Sequence, residues 1–263
     1  MNVFVFDIET IPDCASGRKI HHLGDISDAE TALTLQTMQK EKTGSDFLPH
    51  YLQKVITISA VFRQNDKLRV WSLGDETSDE KDILTRFFNG IEKYTPTLVS
   101  WNGSGFDLPV LHYRALLHGI EAPRYWEVGQ TDSNFRWNNY LSRYHYRHTD
   151  LMDLLAAYSS RANAPLDDLA VMLGFPGKMG VKGNQVWDFY QQGKIKHIRD
   201  YCETDVLNTY LVYLRFELIR GVLSRDEYEH ECNFLRETLA SDAHDSTKQH
   251  LSEFLTHWSN AHV

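Results

Sequence analysis

The chain contains 263 residues, 42% of them hydrophobic, and carries a formal net charge of -9. This length suits one large domain or one domain with an extension, and the composition supports a substantial core rather than an intrinsically disordered chain. The net negative charge argues against a protein that coats nucleic acid through a broad basic surface. It still allows a small site that binds the end of a nucleic-acid strand.

The first predicted element is a buried strand that ends in two carboxylates. Val3 to Phe6 alternate valine and phenylalanine without a polar residue, which is typical of a central strand buried on both faces. Asp7 and Glu9 follow, and residues two apart on a strand point to the same face. Adjacent negative charges are costly without a cation between them, so the pattern fits a metal site as well as it fits a solvated turn.

A polar segment and two further strands come next. Residues 13–50 are polar and predict an excursion over the surface, with a short helix from Ser27, which has capping-box spacing to Glu30. Residues 54–62 and 67–73 read as strands joined by a hairpin at RQND. With the first strand they predict an antiparallel meander.

The second acidic pattern is SWNGSGFDLPVL, in which Asp107 opens a predicted helix directly after the strand 97–101 and a glycine-containing loop. A helix capped by Ser78 and running to Tyr94 precedes this strand. Aspartate is favoured near a helix N-terminus in any protein, so capping alone explains Asp107. The loop glycines allow a backbone or ligand to come close, but a turn would need them equally.

The third acidic pattern is YCETDVLNTY, inside a helix predicted for residues 194–218. Tyr201 and Asp205 are four residues apart and share one helix face. A packed tyrosine and a solvated aspartate explain this pair by spacing alone.

The remaining elements complete an α/β pattern. A short strand near HYRHTD leads into the helix LMDLLAAYSS, and a helix at 165–173 precedes the glycine-bearing loop 175–183. A polar helical region begins near Arg225. Strands first, then alternating strands and helices, then helices, predict a mixed sheet flanked by helices.

The segments FDIET, WNGSGFDLPVL and YCETD, in this order and at wide separation, resemble the three motifs of the DEDD 3′-to-5′ exonuclease superfamily. Tyr201 matches the branch that uses tyrosine rather than histidine. LPHYLQKVITISAVF and HTDLMDLL also resemble stand-alone bacterial proteins related to the proofreading exonuclease domain of family B DNA polymerases. The resemblance covers residues 1–218, which we take as the exonuclease domain, and leaves residues 219–263 as a helical extension that packs on it or self-associates.

The resemblance implies a ribonuclease H-like fold with a mixed five-stranded sheet, and it implies roles for matching residues. Asp7, Glu9, Asp107 and Asp205 would hold two divalent cations, Mg²⁺ or Mn²⁺, with Asp7 shared, and Tyr201 would orient the attacking water. The expected activity is metal-dependent hydrolysis at the 3′ ends of single-stranded nucleic acid. DNA is favoured over RNA, and the expected products are nucleoside 5′-monophosphates.

Further candidates flank these motifs. The residues expected to contact the terminal nucleotide are Thr10, Trp101, Asn102 and Phe106, although the two aromatic residues fit a core role equally. Residues 135–148, FRWNNYLSRYHYRH, interleave arginine with aromatic residues, as a single-strand stacking surface would, and part of the segment must supply core. Candidate phosphate-guiding lysines, each also explained as ordinary surface, are Lys178, Lys182, Lys194 and Lys196.

The sequence also carries expectations about compartment. It shows neither a secretory leader nor an apolar run of about 18 residues, so we expect a cytoplasmic protein without a membrane partner. Three scattered cysteines are too few for a disulfide framework, in keeping with a reducing environment.

Two other function classes stay open at this point. One is a nucleic-acid-binding module without turnover, which an intact acidic quartet disfavours. The other is a small-substrate two-metal phosphoesterase, and a comparison of long single strands with dinucleotides would separate it from an exonuclease. The sequence does not identify a polymerase or repair partner, and the choice between DNA and RNA depends on pocket geometry around the 2′-hydroxyl.

Overall fold

The computed structural model describes residues 1–180 and 183–260. Its strands are β1 (Asn2–Pro12), β2 (Gln53–Gln64), β3 (Lys67–Ser72), β4 (Thr97–Ser100) and β5 (His148–Asp150). They form one sheet in the order β3-β2-β1-β4-β5. The β1–β2 and β2–β3 pairs are antiparallel, whereas β1–β4 and β4–β5 are parallel. The predicted antiparallel meander and mixed five-stranded sheet are confirmed.

Helices cover both faces of this sheet. The first group is α1 (Cys14–His21), α2 (Asp28–Thr43), α3 (Glu80–Tyr94), α4 (Asp107–His118), α5 (Pro123–Trp126) and α6 (Leu151–Leu155). The second group is α7 (Leu166–Met172), α8 (Val186–Gln191), α9 (Ile195–Ile219), α10 (Arg225–Asp242) and α11 (Gln249–Asn260). Each helix of the described residues is too short or too polar to cross a lipid bilayer.

Side-chain alternation along β1 divides the core into two layers. Val3 and Val5 pack with α9, α10 and α11 on one face. Phe4, Phe6 and Ile8 pack with α3 and α4 on the other. Because side chains alternate along a strand, the odd-numbered residues that follow Val5 also face the α9 side.

The first strand is longer than its apolar run suggests. Asp7 pairs with Ser59 of β2 and Glu9 with Thr57, so both carboxylates lie inside β1 rather than at its end. Pairing continues to Pro12. Ladder hydrogen bonds with β2, rather than hydrophobicity, therefore determine where the strand ends.

Several helix predictions were inaccurate because local patterns missed tertiary contacts. Helices α1 and α8 were not predicted, and α2 has 16 residues where a short helix was expected. The N-cap of α3 is Asp79, whose side chain accepts a hydrogen bond from the Asp82 amide, and not Ser78. Helix α6 is five residues long because Ala157 and Tyr158 adopt positive φ angles of 49° and 61°.

The C-terminal helices pack on the domain through a shared core and a buried ion pair. Leu235 on α10 and Phe254 on α11 belong to the cluster that covers the α9 face of the sheet. Arg63 on β2 donates to both carboxylate oxygens of Glu231 on α10, at 2.8 and 2.7 Å. This bidentate pair connects residues 168 positions apart in the chain.

A second buried ionic network joins α4 to the neighbouring elements. Arg114 on α4 donates to both oxygens of Glu80 at 2.7 and 2.6 Å and to Asp13 at the end of β1. Glu80 also accepts the Val55 backbone amide at 2.7 Å. The network ties the helix that begins at Asp107 to the strand that carries the first two acids.

Candidate active site

Asp7 and Glu9 lie on the face of β1 that α9 covers. Glu9 is buried and Asp7 is half-buried. One oxygen of each carboxylate and the sulfur of Cys202 on α9 all lie within 4.8 Å of one another. A bulge follows, because Glu9 pairs with Thr57 and Thr10 with Val55. Bulges of this kind redirect side chains at functional edges of sheets.

Asp107 is the first residue of α4 and is buried. The N-cap of α4 is Phe106, and no side chain makes a capping hydrogen bond there. The capping interpretation of Asp107 is therefore wrong, because its carboxylate lies in the protein interior and does not cap the helix.

The loop before Asp107 is held by an aspartate that the sequence analysis did not single out. Asp150, at the end of β5, accepts the backbone amides of Asn102 at 3.0 Å and Ser104 at 2.8 Å. A Cβ atom at Gly103 would lie 2.1 Å from the Ser100 hydroxyl oxygen. Gly103 is therefore needed so that the loop can fold against its own strand.

Tyr201 and Asp205 occupy one face of α9 opposite β1, as their spacing predicted. Both side chains are buried. The Asp205 Oδ1 atom is buried and has no hydrogen-bond partner among residues 1–180 and 183–260. A buried carboxylate oxygen of this kind is expected to have a donor or a cation as its partner.

The glycine-bearing loop brings Lys178 to the site. Its Nζ atom lies 3.2 Å from the Tyr201 hydroxyl oxygen and 4.0 Å from Asp205 Oδ2. The amide of Asn208 on α9 holds the loop by accepting from the Gly177 N–H at 3.2 Å and donating to its carbonyl at 2.9 Å. Lys178 thus supplies the positive charge that the sequence analysis proposed for this loop.

Cys202 is a site neighbour that the sequence analysis missed. Its sulfur lies 3.5 Å from the Asp7 carbonyl oxygen and 3.6 Å from Asp7 Oδ2. Burial, and then the charges of Asp7 and Glu9, raise the pKa of the thiol, so it stays protonated and donates. A signal was available, because Cys202 precedes Asp205 by three residues and shares its helix face.

The four carboxylates destabilise one another's charged forms. Burial, followed by the charges of Asp107 and Asp205, raises the pKa of Asp7 well above its usual range. Burial and the Asp7 charge do the same for Glu9. Burial raises the pKa of Asp107 to about 7 and that of Asp205 to about 6, the latter against the opposing effect of Lys178.

This donor set fits hard divalent cations. Carboxylate oxygens are the ligands that Mg²⁺ and Mn²⁺ prefer, and the unpartnered Asp205 Oδ1 atom provides a free position. The Cys202 thiol adds one sulfur next to the oxygens of Asp7 and Glu9. Asp7, Glu9, Asp107 and Asp205 are therefore the residues that would hold the ions.

Metal binding should become stronger as the pH rises. Without metal, the folded protein retains protons that the unfolded chain releases between the ordinary carboxyl pKa of 3.8 and about 7, so its stability falls as pH rises through that interval. Metal ions bind the deprotonated form. We expect Mg²⁺ to raise the melting temperature more at about pH 8 than at about pH 5.5, and equal shifts at both pH values would contradict this.

The residues proposed to contact the terminal nucleotide have different surroundings in the fold. The Thr10 hydroxyl donates to the Gln53 side chain at 2.9 Å, next to the bulge. Asn102 adopts a left-handed backbone conformation with φ of 63°. Trp101 is half-buried and packs against the core cluster under α9, which favours its packing role.

Phe106 belongs to a small aromatic cluster beside Asp107. Its ring centroid lies 5.5 Å from that of Phe47 and 5.7 Å from that of His50. His50 Nε2 lies 2.9 Å from the Gly105 carbonyl oxygen. Phe47 is exposed, so the cluster presents an aromatic surface to solvent. The sequence analysis missed Phe47 and His50, because nothing in their spacing connects them with the second motif.

The arginine and aromatic segment is divided between core and surface. Phe135 and Tyr140 are buried. Trp137, Tyr144 and Tyr146 are 80%, 69% and 63% exposed. A cavity of about 470 Å³ lies between this segment and the second motif, and its lining includes Asn102, Gly105, Leu141 and Arg143.

Lys194 and Lys196 have other neighbours than the four candidate carboxylates. Lys196 pairs with Asp200 at 2.6 Å, and Lys194 lies 5.5 Å from the centre of the Phe189 ring. Lys182 lies outside the described residues.

Comparisons with known proteins agree on one relationship. Residues 45–258 match the family described as "Predicted 3′-5′ exonuclease related to the exonuclease domain of PolB". The catalytic subunit of DNA polymerase epsilon from Saccharomyces cerevisiae is 25% identical over 147 residues, 53% of this chain and 6% of that protein. The matched family range includes the second and third motifs but begins after Asp7 and Glu9.

A solved structure supports the fold. The family B DNA polymerase from the hyperthermophilic archaeon Pyrobaculum calidifontis aligns with a TM-score of 0.51 at 17% identity, over 98% of this chain and 28% of the polymerase. This likeness shows that the mixed sheet and its helices form the ribonuclease H-like fold of the polymerase exonuclease domain. The chain spans only a small part of the length of either relative.

Proposed function

Because the chain belongs to the family of predicted 3′-5′ exonucleases related to the exonuclease domain of PolB, we propose that it hydrolyses phosphodiester bonds at the 3′ ends of single-stranded nucleic acid. DNA is the favoured substrate, RNA the second, and nucleoside 5′-monophosphates the products. The observation that carries this proposal is the cluster of Asp7 and Glu9 on β1 with Cys202 on α9, whose two carboxylates are also affected by the charges of Asp107 and Asp205.

In the proposed reaction the protein positions charge and forms no covalent intermediate. Two divalent cations, when bound, would activate a water molecule and stabilise the leaving 3′-oxygen. The chain's own contribution is a rigid frame, because Asp7 and Glu9 lie on a central strand while Asp107 and Asp205 lie on packed helices. Such preorganised frames lower the barrier without rearrangement during the reaction.

Tyr201 is suited to orient the attacking water rather than to deprotonate it. Burial, and then the Asp205 charge, raise the pKa of its phenol, which therefore keeps its proton. The Lys178 ammonium donates to the phenol oxygen at 3.2 Å, which directs the hydroxyl proton away from Lys178. The hydroxyl group can then donate this proton to the oxygen of the attacking water, on the side of the ring that faces the carboxylates.

The cleavage experiment uses 5′-labelled single strands of DNA and RNA with the same sequence, each with Mg²⁺, Mn²⁺ or EDTA. We expect a ladder that shortens one nucleotide at a time from the 3′ end and requires metal. Immediate release of the labelled nucleotide would indicate attack from the 5′ end. No cleavage by folded protein would favour a binding module, and cleavage of dinucleotides alone would favour a small-substrate phosphoesterase.

We further propose that the exposed aromatic residues of segment 135–148 bind the single strand upstream of the cleaved bond. The cavity that joins this segment to Asn102 supports such a path. Trp137→Ala should raise KM for a long strand by about 5- to 100-fold, because stacking of one base contributes about 1–3 kcal/mol. Its kcat should stay unchanged, as should KM for a dinucleotide.

The matched control for this prediction is Leu33→Ala, which removes a comparably exposed apolar side chain from α2. Steady-state kinetics on strands of increasing length provide the measurement. An equal effect of Trp137→Ala on long and short substrates would contradict an upstream binding surface.

A further inference from the structure

The C-terminal helix contacts α9 through a histidine that lies between two carboxylates. His250 on α11 forms a hydrogen bond between Nε2 and Glu203 Oε2 at 2.9 Å, and its Nδ1 atom lies 3.2 Å from Asp200 Oδ1 without a hydrogen bond. Its side chain is 10% exposed, as is that of Glu203. Asp200 and Glu203 flank Tyr201 and Cys202 in the sequence. One imidazole thus spans the turn of α9 that faces the carboxylate cluster.

The same carboxylate continues a buried polar chain toward Asp7. Glu203 Oε1 accepts the Ser72 hydroxyl at 2.7 Å, and the hydroxyl oxygens of Ser72 and Ser59 lie 2.8 Å apart. Ser59 is paired opposite Asp7 in the sheet. Cys202, next to Glu203 on α9, reaches Asp7 Oδ2 at 3.6 Å. The imidazole of α11 is thus connected to a candidate metal ligand through α9 and, by the pairing of Ser59, through β2.

Removal of the imidazole would leave Glu203 without its partner on α11, whereas Asp200 would keep Lys196 at 2.6 Å. A cavity of about 310 Å³ lies beside them, lined by Tyr201, Thr204 and His250 among others. The turn therefore has space to rotate or to admit water once His250 is gone. The buried hydrogen bond to Glu203 would also be lost, and a buried carboxylate needs such a partner.

We propose that α11 is a positioning element of the active site, in which His250 holds the α9 turn so that Tyr201 and Cys202 face β1. The proposal rests on the function proposed above for that site. His250 touches none of the carboxylates that would hold metal, so it acts through α9. The C-terminal extension is, in this view, part of the catalytic apparatus.

The test compares His250→Ala and His250→Gln in the full chain, with His257→Ala as the control, because His257 is exposed on the same helix. Loss of an outer hydrogen bond to a metal site reduces activity or metal affinity by about 10- to 100-fold. We expect His250→Ala to lower kcat within this range, to leave KM for DNA unchanged, and to raise the Mn²⁺ concentration needed for half-maximal activity. Gln should restore part of kcat through its amide donors, and His257→Ala should match wild type.

A second readout does not depend on turnover. The rise in melting temperature caused by Mn²⁺ should be smaller for His250→Ala than for His257→Ala. If wild type degrades no substrate, the exonuclease proposal fails, and this thermal shift still decides whether His250 supports the metal site. A folded His250→Ala protein with wild-type kcat and a wild-type Mn²⁺ shift would overturn the inference.

If His250→Ala does not fold, Ser72→Ala tests the same chain from the sheet side with a smaller change. It removes the donor to Glu203 Oε1 and the partner of Ser59. A reduced kcat with unchanged KM would support the inference. Wild-type values of kcat and of the Mn²⁺ shift would overturn it.

Discussion

Asp7→Asn will reduce exonuclease activity by about 10³-fold or more and will raise the melting temperature of the metal-free protein. The activity loss follows because Asp7 is one of the carboxylates that would hold metal, and metal stabilisation of the reaction amounts to several kcal/mol. The gain in stability follows because burial and the charges of Asp107 and Asp205 already disfavour the ionised carboxylate. The buried carboxylate that the proposed function needs therefore lowers the stability of the metal-free protein.

The measurement pairs a cleavage assay with thermal unfolding in EDTA and in Mg²⁺. Asn has nearly the same shape as Asp, so packing should be preserved. Asp25→Asn is the control, since it removes one exposed carboxylate of the same kind. A mutant that loses both activity and metal-free stability would show that Asp7 supports the fold rather than opposes it.

Arg114→Ala will destabilise the fold by about 3–5 kcal/mol, because it leaves the buried carboxylates of Asp13 and Glu80 without their cation. The side chains of all three residues are nearly inaccessible to water, so bulk solvent cannot replace the lost hydrogen bonds. Their network also connects β1 with α4, which carry the first three acids. We therefore expect activity to fall at temperatures at which the fold is still retained.

Urea unfolding of wild type and mutant measures the first effect. The matched control is Arg86→Ala on α3, whose partner Asp82 is exposed one helical turn away. Removal of that solvated pair should leave the midpoint unchanged within error. Similar midpoints for the two mutants would mean that the buried Arg114 network contributes no more to stability than the exposed pair of Arg86 and Asp82.

Much of the fold follows from local patterns in the chain. The capping box of Ser27 and Glu30 forms as its spacing predicts, and α4 begins at Asp107 as predicted. The length of helix α6 was overestimated because the composition of the segment does not predict the positive φ angle at Ala157. Segment 135–148 was correctly expected to divide between core and surface, but which rings are buried depends on elements distant in sequence.

The sequence by itself determined the mixed sheet flanked by helices and put Asp7 and Glu9 on one face of β1, and the resemblance of its motifs implied the metal-dependent chemistry proposed for the site. Only the tertiary structure decided what lies opposite that face. Cys202 meets Asp7 across 195 positions, and Lys178 meets Tyr201 across 23. The periodicity of a sequence predicts which side chains share one face of a strand or helix. Contacts between two such faces arise from long-range packing, and burial at those contacts shifts the pKa values of the acidic groups.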